Sequence, residues 1–234
     1  MSHSTDTPSL AAKIAPMRMH QTVRPDRKAD ILLAAEKLFA KHGYHAVSIR
    51  HIADEAGVPL ALVGYHYGLK HELFYSIFER WNPTIEERLQ ELHKVTRDAL
   101  DAHTLKRIVD AFVKPVLRMR ASPEGEYYAL LVARELSVYQ EETDRVLLDY
   151  FDPLAREFIG ALHLALPHAT RGQVAWGYQF SLGALSHHIS DERVVRLSDG
   201  QSTQGDPAAA EMLCNFIVGG LQAAIPALAF QSRP

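Results

Sequence analysis

A chain of 234 residues holds one large or two modest domains, and its 47% apolar and 23% charged residues have the balance of a globular protein rather than a disordered or fibrous one. The net charge of -3 argues against a general nucleic-acid coat, and no apolar run approaches the roughly 18–20 residues of a membrane span, so no membrane partner is expected. One cysteine excludes an internal disulfide, and no charged-then-apolar leader opens the chain; both fit a cytoplasmic protein.

Residues 1–23 carry few large apolar side chains and no sustained period, and read as a mobile arm. From Pro25 the pattern turns helical: DRKADILLAAEKLFAKHG puts Ile31, Ala34, Ala35, Leu38 and Phe39 on one face, with Gly43 placed as a left-handed stop. Ser48 stands where an N-cap belongs before IRHIADEA, Gly57 ends that short helix, and Pro59 starts another over about 59–66, with Val63 and Tyr67 as its inward anchors. A long helix begins near Lys70 and carries Leu73, Phe74, Ile77, Phe78 and Trp81, with Asn82-Pro83 as an interruption or kink. Helical period resumes through IEERLQELHKVTRDAL, TLKRIVDAFVKPVLRMR (with Pro115 inside) and EGEYYALLVARELSVYQ. Asp152-Pro153 caps a run to about Leu166, residues 170–195 form the next, and after the loop LSDGQSTQGDP a last helix runs from Asp206-Pro207 to about Leu228. With no strand-like alternation and no internal repeat, the reading is all-α with about nine helices.

Two short helices at the spacing of residues 48–66, followed at once by a third, form a helix-turn-helix. Residues 24–70 are therefore read as a DNA-binding domain, and 71–234 as a larger helical body for effector binding and dimerisation. The second short helix presents Leu60, Ala61, Leu62, Gly64, Tyr65 and His66 toward base edges; Ser48, Arg50 and Lys70 flank it for phosphate or base contacts. Residues 1–75 hold nine lysines and arginines against seven acidic residues, whereas the remainder holds 16 against 21, a basic head on an acidic body. In the arm, Lys13, Arg18, Arg24 and Lys28 are candidates for an adjacent minor groove or its phosphates, against the plainer reading of disorder without contact.

Residues 29–75 resemble the DNA-binding domain of the tetracycline-repressor (TetR) family. The resemblance rests on LFAKHGY, the S-I-R-x-I-A start of the second helix, A-G-V at the turn and the junction Y-H-Y-G-x-K-x-E-L, a version similar to a branch written Y-H-F-G-S-K. It implies DNA contacts at Ser48, Arg50, Tyr65, His66 and Lys70. Three positions depart from the pattern: Leu60 where Lys is frequent, Gly64 where Asn or Tyr is frequent, and Leu69 in place of a capping Ser, so that cap must come from elsewhere.

The resemblance also implies a homodimer built on the last two long helices and a small-molecule effector inside the body. Gly177, Gly183 and Ala184 with Phe216, Ile217, Gly220, Leu221 and Ala224 are the interface candidates, mixing apolar area with residues small enough for close approach. Candidate liners of an effector pocket are Phe112, Arg118, Tyr128, Leu131, Arg134, Tyr139, Phe151, Phe158, Trp176 and Phe180. Each has the plainer reading of a core residue. A buried Arg118 or Arg134 would suit a carboxylate ligand, while Arg134-Glu135 also reads as a structural ion pair.

An enzyme is not expected: the chain lacks a G-x-S-x-G elbow, a phosphate-cradling glycine loop and H-E-x-x-H, and no cofactor is called for. The 13 histidines raise a metal-responsive regulator as an alternative, yet adjacent His187-His188 diverge on a helix, His42/His45 and His163/His168 straddle turns, and no metal ligand set is named. An effector-independent DNA binder is the remaining alternative. The sequence-level account is thus a transcriptional regulator, a repressor that binds a palindromic operator on double-stranded DNA as a dimer and is released by a small molecule.

Overall fold

The computed structural model describes residues 26–98, 100–137 and 141–225. Asp26 opens α1 (Arg27–His42) by accepting the Lys28 and Ala29 amides at 3.1 and 3.2 Å. Its inward stripe, Ile31, Ala35 and Phe39, is fully buried. Gly43 does take a positive φ of 81°, but its ψ of 162° is extended rather than left-handed helical. The chain thereby carries Tyr44 straight into an aromatic cluster, 5.7 Å from Phe39 and 5.0 Å from Phe74. Ser48 caps α2 (Ile49–Ala56) reciprocally, accepting from the His51 amide at 3.2 Å while His51 Nδ1 accepts from the Ser48 amide at 3.3 Å. Gly57 ends α2 in the left-handed region, and Pro59 serves as N-cap, one residue ahead of α3 (Leu60–Tyr67).

The cap that Leu69 cannot supply comes from Glu72, whose Oε2 accepts the Leu69 amide at 2.6 Å and opens α4 (Lys70–Arg97). Gly68 makes this junction possible. At φ 68° and ψ −121° it occupies backbone space closed to L side chains, and a Cβ there would lie 2.1 Å from Glu72 Oε2. Gly68→Ala is expected to lower stability by about 1–3 kcal/mol, read as a shifted urea midpoint at unchanged slope.

Neither internal proline ends its helix. α4 runs unbroken through Pro83, where the Thr84 hydroxyl donates to the Trp81 carbonyl at 2.7 Å, and α5 (Thr104–Arg120) runs through Pro115. Then follow α6 (Glu126–Glu135), α7 (Glu141–Val146), one π-helical turn (Leu147–Phe151), α8 (Asp152–Ala165), α9 (Arg171–Ser190), α10 (Val194–Leu197) and α11 (Pro207–Ala224). The fold is all-α. The helices beyond the expected count are α7 and α10, both short. α8 does begin at Asp152, but Asp152 does not cap it: the N-cap is Phe151, still helical, and the path continues from the π turn, the Asp152 amide reaching the Leu147 carbonyl five residues back. Pro153 has no N–H to give the Asp149 carbonyl, and it follows directly on the widened turn.

In the head, α1 packs against α2, α3 and α4; in the body, α5 packs against α4, α6, α8, α9 and α11. Two elements cross between them. α1 lies along α6, and α4 carries Phe74 under the head and Phe78 into the body, where its ring meets Tyr128 at 5.7 Å and Phe151 at 6.0 Å.

Candidate DNA-reading head and effector cavity

Only one side of α3 is used to hold it. Val63 and Tyr67 are buried, and the Tyr67 hydroxyl donates to the Lys28 carbonyl at 2.8 Å while Lys28 Nζ sits 5.6 Å over its ring, tying α3 to the start of α1. The Lys37–Glu55 ion pair joins α1 to α2. Leu60, Ala61, Gly64 and Tyr65 are exposed, with Leu62 and His66 half-buried. Tyr65 is 82% exposed and meets the His66 ring edge-on at 5.2 Å. Ser48 and Arg50 are exposed at the start of α2; Lys70 Nζ lies 4.2 Å over the Tyr44 ring. Arg24, with Lys13 and Arg18, lies outside the described residues.

The body holds a partly open cavity of about 50 Å³ between α4, α5, α6, the π turn, α8 and α9. Its wall is largely apolar, with Phe112, Tyr128 and Phe151 from the sequence-level set, and Thr84, Tyr178 and Ser186 as hydroxyls. Among the described residues its one cation is Arg88, which sequence reasoning missed. The other expected liners are elsewhere. Leu131 is fully buried core away from the cavity, and Phe158 borders a smaller void next to it. Arg118 is exposed in an open groove shared with Arg120 and Glu192. Arg134 is also exposed and donates to the Ala40 and Lys41 carbonyls at 3.5 and 3.4 Å, closing the end of α1 instead of facing a ligand. Trp176 and Phe180 are 64% and 65% exposed and stack on each other outside the protomer, because the inward positions of α9 belong to Val174, Tyr178 and Ser181. Tyr139 lies outside the described residues.

A short chain of side chains links the cavity wall to the head. Tyr128 stacks on Trp81 at 4.9 Å with an interplanar angle of 11°, and the Trp81 indole N–H donates to Glu36 Oε2 at 2.9 Å. Glu36 belongs to α1 and is fully buried; Arg80 lies 3.6 Å from the same oxygen. Burial pushes the Glu36 carboxyl above its ordinary value despite these partners. Burial likewise raises the Tyr128 phenol, and pushes Tyr178 up to about 12.

The interface candidates divide. Phe216 is 69% exposed, Ala224 is exposed and Ala184 half-buried, while a Cβ on Gly183 or Gly220 would meet nothing within 4 Å. Gly177, Ile217 and Leu221 face inward instead. A Cβ on Gly177 would stand 2.6 Å from Leu221 Cδ2, so this glycine brings α9 against α11 within one protomer. Among the described residues no group of three His, Cys, Asp or Glu side chains is arranged to hold a metal, and no helix is long and apolar enough to cross a membrane.

Residues 31–77 match a family model described as bacterial regulatory proteins, tetR family, and residues 110–220 match one described as the tetracyclin repressor-like C-terminal domain. Over 95 residues the chain is 30% identical to the HTH-type transcriptional activator FasR of Mycolicibacterium smegmatis, a stretch covering 41% of this chain and 42% of that relative, less than half of either. Among solved structures, a TetR-family regulator from Bordetella parapertussis superposes with a TM-score of 0.61 at 17% identity, over 83% of this chain and 95% of that one. The regulator FadR of Bacillus subtilis, in complex with stearoyl-CoA, does so with 0.52 at 16%, over 82% and 98%. At these identities the structures share the fold.

Proposed function

Because the chain belongs to the TetR family of DNA-binding transcriptional regulators, which are not enzymes, we propose that it is a repressor that binds a palindromic operator as a homodimer and is released by a small molecule held in its body. The observation that carries this reading is the contact chain from cavity to head: Tyr128 lines the cavity, stacks on Trp81, and Trp81 bonds Glu36 of α1. A cavity of about 50 Å³ holds little more than water, so a larger occupant must push its walls apart. Any shift of α4 or α6 then reaches the head, which rests on both. Moving the two α3 helices off the roughly 34–36 Å spacing of one DNA turn weakens binding. That FadR has been captured with stearoyl-CoA supports a ligand in this fold.

In this reading Tyr65 and His66 reach base edges, Leu60, Ala61, Leu62 and Gly64 fit against the groove, and Arg50, Lys70 and Lys28 meet phosphates. The Ser48 hydroxyl oxygen accepts from His51, leaving its hydrogen to donate to a phosphate at the α2 N-terminus. Two substitutions separate capping from DNA contact. Ser48→Ala is expected to cost about 1 kcal/mol of stability. Ser48→Asp keeps the cap but repels phosphate, so it retains stability while operator affinity falls about tenfold or more. Equal operator affinity of wild type and Ser48→Asp would remove Ser48 from the interface.

Linkage tests the whole reading. An effector that weakens operator binding by some factor must itself bind the operator complex more weakly by the same factor. An effector that binds free protein and complex equally would contradict release. Activation is the second reading, favoured by the described activity of FasR over the matched segment. Transcription from a promoter bearing the operator, with and without the protein, separates the two.

A further inference from the structure

Arg88 is the anomaly of the cavity. It sits on α4 at only 9% exposure, surrounded by apolar wall, with Phe112 and Phe158 rings 5.9 and 5.8 Å from its guanidinium carbon. Among the described residues its one hydrogen bond is a long one, 3.4 Å from a terminal nitrogen to the Phe112 carbonyl, and its buried Nε has no partner. Among the described residues no carboxylate pairs with it, and none lines the cavity. A guanidinium has five N–H donors in a planar fork, so most of its capacity is unspent. The cost of taking this charge out of water has already been met by folding, and burial pulls its pKa below the ordinary arginine value. Beside it the Tyr128 hydroxyl is also buried without a partner.

We propose that the cavity takes a carboxylate monoanion with an apolar body, its two oxygens on the Arg88 fork and its body along the Phe112 and Phe151 side of the wall. This rests on the ligand-controlled reading above and names the ligand class it leaves open. One guanidinium with no second cation in the wall balances one negative charge and leaves a phosphate dianion half-compensated. The ligand brings the missing acceptor to a charge already desolvated, so pairing gains strength from the low-dielectric surroundings without a second penalty on the protein side. The apolar remainder exceeds the cavity and wedges α4 from α5 and α6.

Calorimetry on the full-length, DNA-free protein tests this with straight-chain carboxylates from butanoate to dodecanoate and the alcohols of matched length. At least one carboxylate is expected to bind about tenfold or more tightly than its alcohol. Arg88→Met removes that preference, costing the carboxylate about tenfold more than the alcohol, and Arg88→Lys retains part of it. If Arg88→Met does not fold, the carboxylate–alcohol comparison on wild type decides alone. Equal affinities within each pair, no binding by any carboxylate, or a preference surviving in Arg88→Met overturns the proposal. Operator affinity measured in parallel keeps the two readings apart. DNA binding without carboxylate binding sinks the ligand class only, whereas Arg88-dependent carboxylate binding that leaves operator affinity unchanged sinks release and spares the site.

Discussion

Phe216→Lys is expected to leave a folded monomer whose operator affinity is lower by about a thousandfold or more. The reason is the position of the side chain. Phe216 is 69% exposed in the protomer, so a lysine there removes no core contact and costs the fold little. Trp176, Phe180 and Met212 are, like it, large apolar side chains left exposed on α9 and α11, and a Cβ on Gly183 or Gly220 of the same helices would meet nothing within 4 Å, which suits a second backbone. Burying a lysine in the proposed dimer contact without a partner acid would oppose association strongly. The loss of DNA binding then follows from geometry: once one head is seated, the other acts at an effective concentration in the millimolar range, and a monomer forfeits this. Sedimentation of Phe216→Lys as a dimer, or a monomer with full operator affinity, would contradict it. Phe216→Leu, which keeps the apolar face, should behave as wild type.

Trp81→Phe is expected to lower stability by about 2 kcal/mol and to reduce the effect of an effector on operator affinity. Phenylalanine keeps an aromatic face for Tyr128 but takes away the only indole N–H that reaches Glu36. A fully buried carboxylate then loses a donor and is left with the Tyr128 backbone amide and Arg80, which is half in solvent. The pH dependence follows in sign. Because the folded-state pKa of Glu36 is raised, the folded protein binds this proton more tightly than the unfolded chain does. Stability from this group is therefore greatest below the ordinary value of 4.5 and declines as pH rises toward the folded value. Trp81→Phe steepens the decline, and Glu36→Gln, which still offers Trp81 an acceptor oxygen, flattens it. Urea titrations across the acidic range measure both. A Trp81→Phe protein with wild-type stability and an undiminished effector response would break the proposed link between cavity and head.

The head was legible residue by residue because its signals are local. Ser48 caps, Gly57 stops, Pro59 starts, and the apolar spacing of Ile31, Ala35 and Phe39 needs no distant partner to be recognised. The body was legible as helices but not as a site, since whether an aromatic side chain faces a cavity, the core or a second protomer depends on helices far apart in sequence. Trp176 and Tyr178 are two residues apart on α9, one exposed and one lining the cavity. Arg88 did carry a signal. It lies three residues after Ile85 and four before Leu92, on the buried stripe of α4, where a charged residue is out of place unless something compensates it. Glu36 carries the same signal on α1, between Leu32 and Ala40. The sequence analysis assigns a role to neither.

Selection of duplexes from a random-sequence pool by the full-length protein, followed by footprinting of the enriched sites, tests most directly that a symmetric pair of α3 helices reads DNA. The enriched sequence should be an inverted repeat, with two protected patches about one helical turn apart. Tyr65→Ala should lose the sequence preference while keeping weak, salt-sensitive binding. Enrichment of no sequence, or of an asymmetric site covered by one protomer and untouched by Tyr65→Ala, would contradict the account.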